Sequence, residues 1–250
     1  MTRAIFFDIF GTLVDWRGTL IHNIKKKMVF EKNDSFIELL VINWRLEYQP
    51  ILDKVNKNKI PWMLLDDLHL ISLNTVLKKM KVKNITEEKK KELVFLWHKL
   101  EPWKDSSKYL KLLGRKYVTS SLSNGNISLQ KNLFEYANLD FNFILSAENF
   151  KKYKPDSSVY LGAASNLGLD PRVCFLVASH KNDLVAADKS SNFGRNWTCE
   201  TFAALEMEFG DGNGELIPLS LNVKGDEFSV VVVVTISDAV QLSLVLLSFT

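Results

Sequence analysis

The 250-residue chain is predicted to be α/β, a doubly wound parallel sheet with a helical domain inserted after the first strand. Three observations predict this. An apolar strand over residues 3–7 delivers Asp8 into a turn marked by Gly11 and Thr12. Roughly ninety residues with helical signals and no convincing strand come next. From Asp105 onward strand and helix patterns alternate, as in βαβ units stacked into a parallel sheet.

Each element follows from local signals. Ser35-x-x-Glu38 has the capping-box pattern and opens a helix that runs to about Val55. Ile60-Pro61-Trp62 separates it from an amphipathic stretch, 63–80. Thr86-Glu87-Glu88 opens a further helix ending near Leu100, and Pro102 stops it. The inserted helical domain is therefore 16–103, and the α/β core is 1–15 with 104–250. Within the core a helix ends at Gly114, and strands are expected at 117–122, 141–145 and 173–178. Helices are expected at 126–137, 156–166 and 183–190. The apolar stretch 228–247 is broken by Ser237, Asp238 and Gln241 into runs too short to span a bilayer. It reads as a buried Val-rich strand, 230–236, followed by a helix capped by Ser237.

Composition narrows the function. Hydrophobic content of 46% and charged content of 24% are those of an ordinary globular chain. A formal charge of +3 is too small and scattered to argue for nucleic acid. The densest basic runs, Lys25-Lys26-Lys27 and Lys89-Lys90-Lys91, read as solvated helix faces. Two cysteines, Cys174 and Cys199, make neither a disulfide framework nor a zinc site, and Cys174 falls inside an apolar strand. No signal peptide is visible, so a reducing cytoplasm is the expected compartment, with no membrane partner.

In open α/β sheets ligands bind beyond the carboxyl ends of the strands. Asp8 follows the first strand there, Ser123 and Asn124 follow the second, Lys154 lies in the loop after the third, and Asp183 follows the fourth. Phe10 stands two places after Asp8, where a second carboxylate would suggest magnesium and phosphoryl transfer. A phenyl ring neither holds a metal nor donates a proton, so Asp8 reads as a lone nucleophilic carboxylate. Its reference pKa of about 4 leaves it ionised at neutral pH, so it needs orientation rather than a base.

This constellation resembles the haloacid dehalogenase-like superfamily, whose core is Rossmann-like, and within it the type II 2-haloacid dehalogenases. The matching residues are Asp8-Ile-Phe-Gly-Thr12, Leu122-Ser123-Asn124-Gly125, Tyr153-Lys154-Pro155-Asp156 with Val159-Tyr160, and Ser179-His180-Lys181-Asn182-Asp183. Trp44-Arg45…Tyr48-Gln49-Pro50, Asp66-Asp67-Leu68-His69 and Trp97-His98…Pro102-Trp103 extend the likeness, which covers about residues 3–190.

The resemblance implies hydrolytic dehalogenation of small 2-haloacids with no metal or organic cofactor. Asp8 would displace halide to form an ester, which water then cleaves at the aspartyl carbonyl. Lys154 would hold Asp8 ionised, and Thr12 would order its loop. Arg45, from the inserted cap domain, and the Asn124 amide would stabilise the leaving halide. Ser123 with the N–H groups of Ile9 and Phe10 would receive the substrate carboxylate. Phe10, Trp16, Trp44, Tyr48 and Trp62 are candidates to line an apolar pocket. Asp183 would fix Lys154 and position the hydrolytic water.

The fourth motif departs from the usual pattern. Ala178 and His180 replace a serine and an asparagine, which leaves His180 either a water activator or a structural histidine, with Asn182 beside it. His22, His69 and His98 lack ligand spacing and read as structural. A homodimer is compatible with the resemblance and not required by it. Two other readings stand beside it. One is a magnesium-dependent phosphatase of the same superfamily, against which Phe10 argues. The other is an inactive binding protein, motivated by the altered fourth motif and the divergent stretch after Ser190.

Overall fold

The computed structural model describes residues 4–27 and 34–190, with the backbone of 219–223, 226–237 and 239–247. The chain starts in β1 (Ala4–Phe7) and, after the Asp8 loop, makes a short β2 (Val14–Asp15). A helical block follows: α1 (Trp16–Lys26), α2 (Asp34–Leu46), α3 (Tyr48–Asn56), α4 (Leu65–Lys79), α5 (Glu87–Phe95) and a 3-10 turn, Leu96–His98. β3 (Glu101–Pro102) then pairs antiparallel with β2, so one short two-stranded ladder, missed in the sequence, brackets the block. Next come α6 (Ser106–Leu113), β4 (Val118–Ser123), α7 (Ile127–Ala137), β5 (Phe143–Ser146), α8 (Ala147–Phe150), α9 (Ser157–Asn166), β6 (Cys174–Val177) and α10 (Lys181–Ser190).

β1 lies inside a parallel sheet of order β5-β4-β1-β6. Successive residues of β1 face opposite sides, and both sides are covered. Ile5 and Phe7 join the apolar cluster that continues into the helical block, while Ala4 and Phe6 join a second one with Leu122, Val159, Ala163 and Leu176. The first cluster runs without a break from Phe7 and Ile9 through Leu13 and Val14 to Leu40, Trp44, Leu52, Leu68 and Trp97. The chain builds one flank of β1 first and returns to the other with β6. The strand order reverses at β1, where this architecture leaves a crevice. Phe7 is level with Ser121 on one side and Val177 on the other, so the loops after all three strands open on one edge.

Three expectations are corrected. The helix expected from Ser35 to about Val55 is two helices, because Pro50 has no N–H to give the Leu46 carbonyl and its ring would crowd it. α2 also begins at Asp34, which puts Ser35 inside the first turn rather than at its cap. The helix expected after Ser237 is instead a strand. β7 (Leu219–Val223), β8 (Asp226–Ser237) and β9 (Ala239–Leu247) form a separate antiparallel sheet, with Ser237 level with Ala239. Gln241 and Ser243 alternate with Leu242 and Leu244, a period of two that fits a strand. Cys199 lies outside the described residues.

Candidate active site

Asp8 leaves the end of β1 with its N–H on the Val177 carbonyl at 2.9 Å. The loop then folds back on itself, as the Ile9 carbonyl accepts from the N–H groups of Thr12, Leu13 and Val14 at 3.0–3.3 Å. Gly11 sits at φ +87°, a conformation that side-chain-bearing residues rarely adopt. Trp103 and Ser106 tie the loop down through the Gly11 and Leu13 carbonyls. No described backbone hydrogen bond outside helices and strands takes the N–H of Ile9 or Phe10.

Asp8 is 6% exposed, and its carboxylate is held at both oxygens. Lys154 Nζ donates to Oδ1 at 2.9 Å, and Thr12 Oγ1 donates to Oδ2 at 2.9 Å. Lys154 Nζ also donates to Asp183 Oδ2 at 2.5 Å, and the Tyr160 hydroxyl donates to the other Asp183 oxygen. Burial alone would raise the Asp8 carboxyl, but the Lys154 charge, then the His180 ring, then the Lys154 and Thr12 hydrogen bonds hold it below its ordinary 3.8. Burial would likewise strip Lys154 of its proton, yet Asp183 and Asp8 outweigh it and lift the ammonium above its ordinary 10.5. Tyr160 is pushed up by burial and then by Asp183, so its hydroxyl stays protonated and donates. The site holds an ionised carboxylate, an ammonium and a second carboxylate out of bulk water.

Lys154 is positioned from two sides. Its N–H donates to Asn124 Oδ1 at 2.7 Å, and Asn124 Nδ2 donates back to its carbonyl at 3.4 Å. Asn124 thus clamps the lysine backbone, and its amide also meets the Tyr48 hydroxyl on the side of the helical block. From the helical block, Asn56 brackets Tyr153: Oδ1 accepts from the Tyr153 N–H at 2.9 Å, and Nδ2 donates to its carbonyl at 2.8 Å. Tyr153 also donates its hydroxyl to the Met63 carbonyl at 2.7 Å.

Ser123 is fully buried, and its hydroxyl oxygen accepts from the Gly125 N–H at 3.1 Å, the chemistry of a turn after a strand. His180 is exposed, with Nε2 3.1 Å from the Phe10 carbonyl. A carbonyl only accepts, so this nitrogen carries the proton and Nδ1 is the ring's acceptor when neutral. Ser179, assigned no role from sequence, donates its N–H to Thr12 Oγ1 at 2.9 Å. Asn182 is exposed on α10, and no described contact joins it to the site. No group of three His, Cys, Asp or Glu side chains among the described residues is arranged to hold a metal.

Opposite the nucleophile, the helical block contributes an aromatic wall. Phe10 meets Trp97 edge-on at 5.5 Å, and Trp44 meets Trp97 edge-on at 5.7 Å. Arg45 lies 4.1 Å over the Tyr48 ring and 5.3 Å from Trp16. Its Nη1 is buried and has no hydrogen-bond partner. Of the expected pocket aromatics, Trp62 stacks on Tyr153, the residue before Lys154, and its buried Nε1 has no hydrogen-bond partner. Sequence reasoning missed Trp97 and His69, which belong to this wall, and Tyr160, whose hydroxyl completes the Asp183 environment. Tyr160 was visible as the partner of Val159 in the third motif.

A profile of the haloacid dehalogenase-like hydrolases matches residues 2–190, the span that carries every group described above. The chain is 30% identical over 203 residues to (S)-2-haloacid dehalogenase 4A of Burkholderia cepacia, covering 78% of this chain and 80% of that protein. The crystal structure of L-2-haloacid dehalogenase PA0810 aligns with a TM-score of 0.71 at 37% identity, over 76% of this chain and 81% of that one. The defluorinating L-2-haloacid dehalogenase Rha0230 aligns with a TM-score of 0.72 at 34% identity, over 76% and 78% of the two chains. Motif order, sheet topology and these matches agree, and the chain belongs to the haloacid dehalogenase-like hydrolase family.

Proposed function

We propose that the protein hydrolyses the carbon–halogen bond of small 2-haloacids, with Asp8 as nucleophile and the helical block as a cap over it. One observation carries this reading: a buried carboxylate kept ionised by an ammonium, with Phe10 packed on Trp97 where a second carboxylate would serve phosphate chemistry. The named relatives, all 2-haloacid dehalogenases, support it.

In the first step an Asp8 oxygen attacks C2 of the substrate. The carbon–halogen bond breaks, halide leaves with the electron pair, and C2 inverts. Fixing the carboxylate at both oxygens removes the reorganisation a free aspartate would need. Arg45 faces the charge that gathers on the halide, and the N–H groups of Ile9 and Phe10 with the Ser123 hydroxyl take the substrate carboxylate. In the second step water adds to Asp8 Cγ while Asp183 takes its proton. The bond from Cγ to the substrate oxygen then breaks, that oxygen receives the proton, and the 2-hydroxyacid departs. Asp8 keeps one oxygen from water, and one proton is released overall. Lys154 holds both carboxylates in place through both steps.

The test is halide release from 2-chloropropionate without added metal. Asp8→Asn is expected to lower it by more than about 10⁴-fold, as loss of a nucleophile does. A single turnover in H₂¹⁸O with enzyme in excess should label the Asp8 peptide and leave the product unlabelled. Hydrolysis of p-nitrophenyl phosphate that needs magnesium, with no halide released, would overturn the reading.

A further inference from the structure

Five side chains over the nucleophile close into a ring. Tyr48 lies 6.0 Å from His69, and His69 stacks on Trp97 at 4.3 Å. Trp97 lies 6.1 Å from Trp16. Arg45 completes the circuit, 5.3 Å from Trp16 and 4.1 Å from Tyr48. Phe10, two residues from the nucleophile, touches this ring through Trp97.

Three members of the ring carry polar atoms that are buried and have no partner: Arg45 Nη1, Trp97 Nε1 and both ring nitrogens of His69. His69 is 2% exposed. Burial, outweighing the attraction of Asp66, keeps the imidazole neutral down to a pKa of about 3, so the ring always has one N–H to donate. Buried donors without acceptors are destabilising, and native proteins keep few of them. Several together, beside a nucleophile, mark a place where an acceptor arrives with the substrate.

Charge identifies the acceptor. Asp8 and Asp183 share one ammonium, and a 2-haloacid adds a carboxylate, so an anion leaving here needs donors beyond Lys154. Asn124, the second donor expected from sequence, gives one amide N–H to the Lys154 carbonyl and meets the Tyr48 hydroxyl of the ring, so it is at most one further donor. We infer that His69 and Trp97 join Arg45 in holding the departing halide, which makes His69 a residue that selects the leaving group. The inference rests on the dehalogenase reading. A halide in this box would have a guanidinium N–H, an indole N–H and an imidazole N–H around it, with ring edges completing a dry shell.

The test uses the full chain and separates binding from turnover. Chloride and bromide are titrated calorimetrically against sulfate as ionic-strength control, in wild type, D8N, H69F, H69Q and W97F. Saturable chloride binding is expected in wild type and D8N, at least ten-fold weaker in H69F and W97F, and restored toward wild type in H69Q, whose amide supplies an N–H. In turnover, H69F should raise the 2-bromo- over 2-chloropropionate kcat ratio at least five-fold with KM little changed, because the poorer leaving group needs the donors more. H69F or W97F, folded by circular dichroism, with wild-type chloride affinity and leaving-group ratio, would overturn the inference. Should H69F fail to fold, W97F and H69Q decide by the same measurements. Chloride binding that depends on His69 without turnover of any 2-haloacid would sink the dehalogenase reading and leave the anion box standing.

Discussion

On the sheet side of the nucleophile the charged side chains and the hydroxyl that orders Asp8 are saturated. Both Asp8 oxygens, both Asp183 oxygens, the Lys154 ammonium and the Thr12 hydroxyl have partners within the protein. On the helical-block side, Arg45, His69 and Trp97 keep buried nitrogens with none. The first arrangement is complete without substrate, and it sets charge and direction before anything binds. The second is complete only when an acceptor arrives. The contrast teaches that the side chains around the nucleophile store their interactions in the folded state, while those of the helical block withhold theirs for the reaction.

The contrast breaks most severely at Lys154. Lys154→Met leaves two buried carboxylates with no cation, and we expect a loss of about 3–5 kcal/mol in urea unfolding together with about 10³-fold less halide release. Arg45→Lys probes the other wall. A lysine cannot reproduce the flat fork stacked on Tyr48, so turnover should fall about 10²-fold, while stability shifts by less than about 1 kcal/mol because Nη1 has no protein partner. Tyr160→Phe removes the hydroxyl from Asp183 and should lower stability by about 1.5–3 kcal/mol and kcat by roughly ten-fold.

The gentlest probe is pH. The Asp8 carboxyl is depressed in the folded state, so its contribution is complete above the ordinary 3.8 and is lost only as pH falls through the lower folded value. The Lys154 ammonium is elevated, so its contribution is complete below 10.5 and is lost as pH rises through the higher folded value. Urea midpoints should therefore owe no pH dependence to this pair between those limits, and Lys154→Met should abolish the share of the acid limb that Asp8 contributes.

The sheet side was also the more legible in sequence. Asp8, Lys154 and Asp183 each follow a strand signal, and strand ends in a parallel sheet share an edge, so local pattern carried long-range information. The strands and helices of the core fell close to their expected positions for the same reason. The helical-block wall was less legible. His69 and Trp97 lie in segments that extend the family likeness, but their helical spacing gives them no role until the packing of α4 against the turn at Leu96–His98 brings their rings together. Asn124 is expected from the resemblance to stabilise the halide, and nothing local shows that its side chain also spans to the Lys154 backbone. The strand at Ala239–Leu247 was missed because a serine before an apolar run suits a helix cap as well as a hairpin turn.

The Asn56 bracket bears on how this protein can be recombined with its relatives. Asn56 ends α3 of the helical block, yet it grips Tyr153, the residue bonded to the lysine that fixes the nucleophile. The block is therefore not an exchangeable module laid over an autonomous engine. A chimera that imports a foreign block at the β2–β3 stem would import that block's own residue at the position of Asn56, and with it the grip on the 151–154 loop. Keeping residue 56 and that loop from one parent is the design rule the fold imposes.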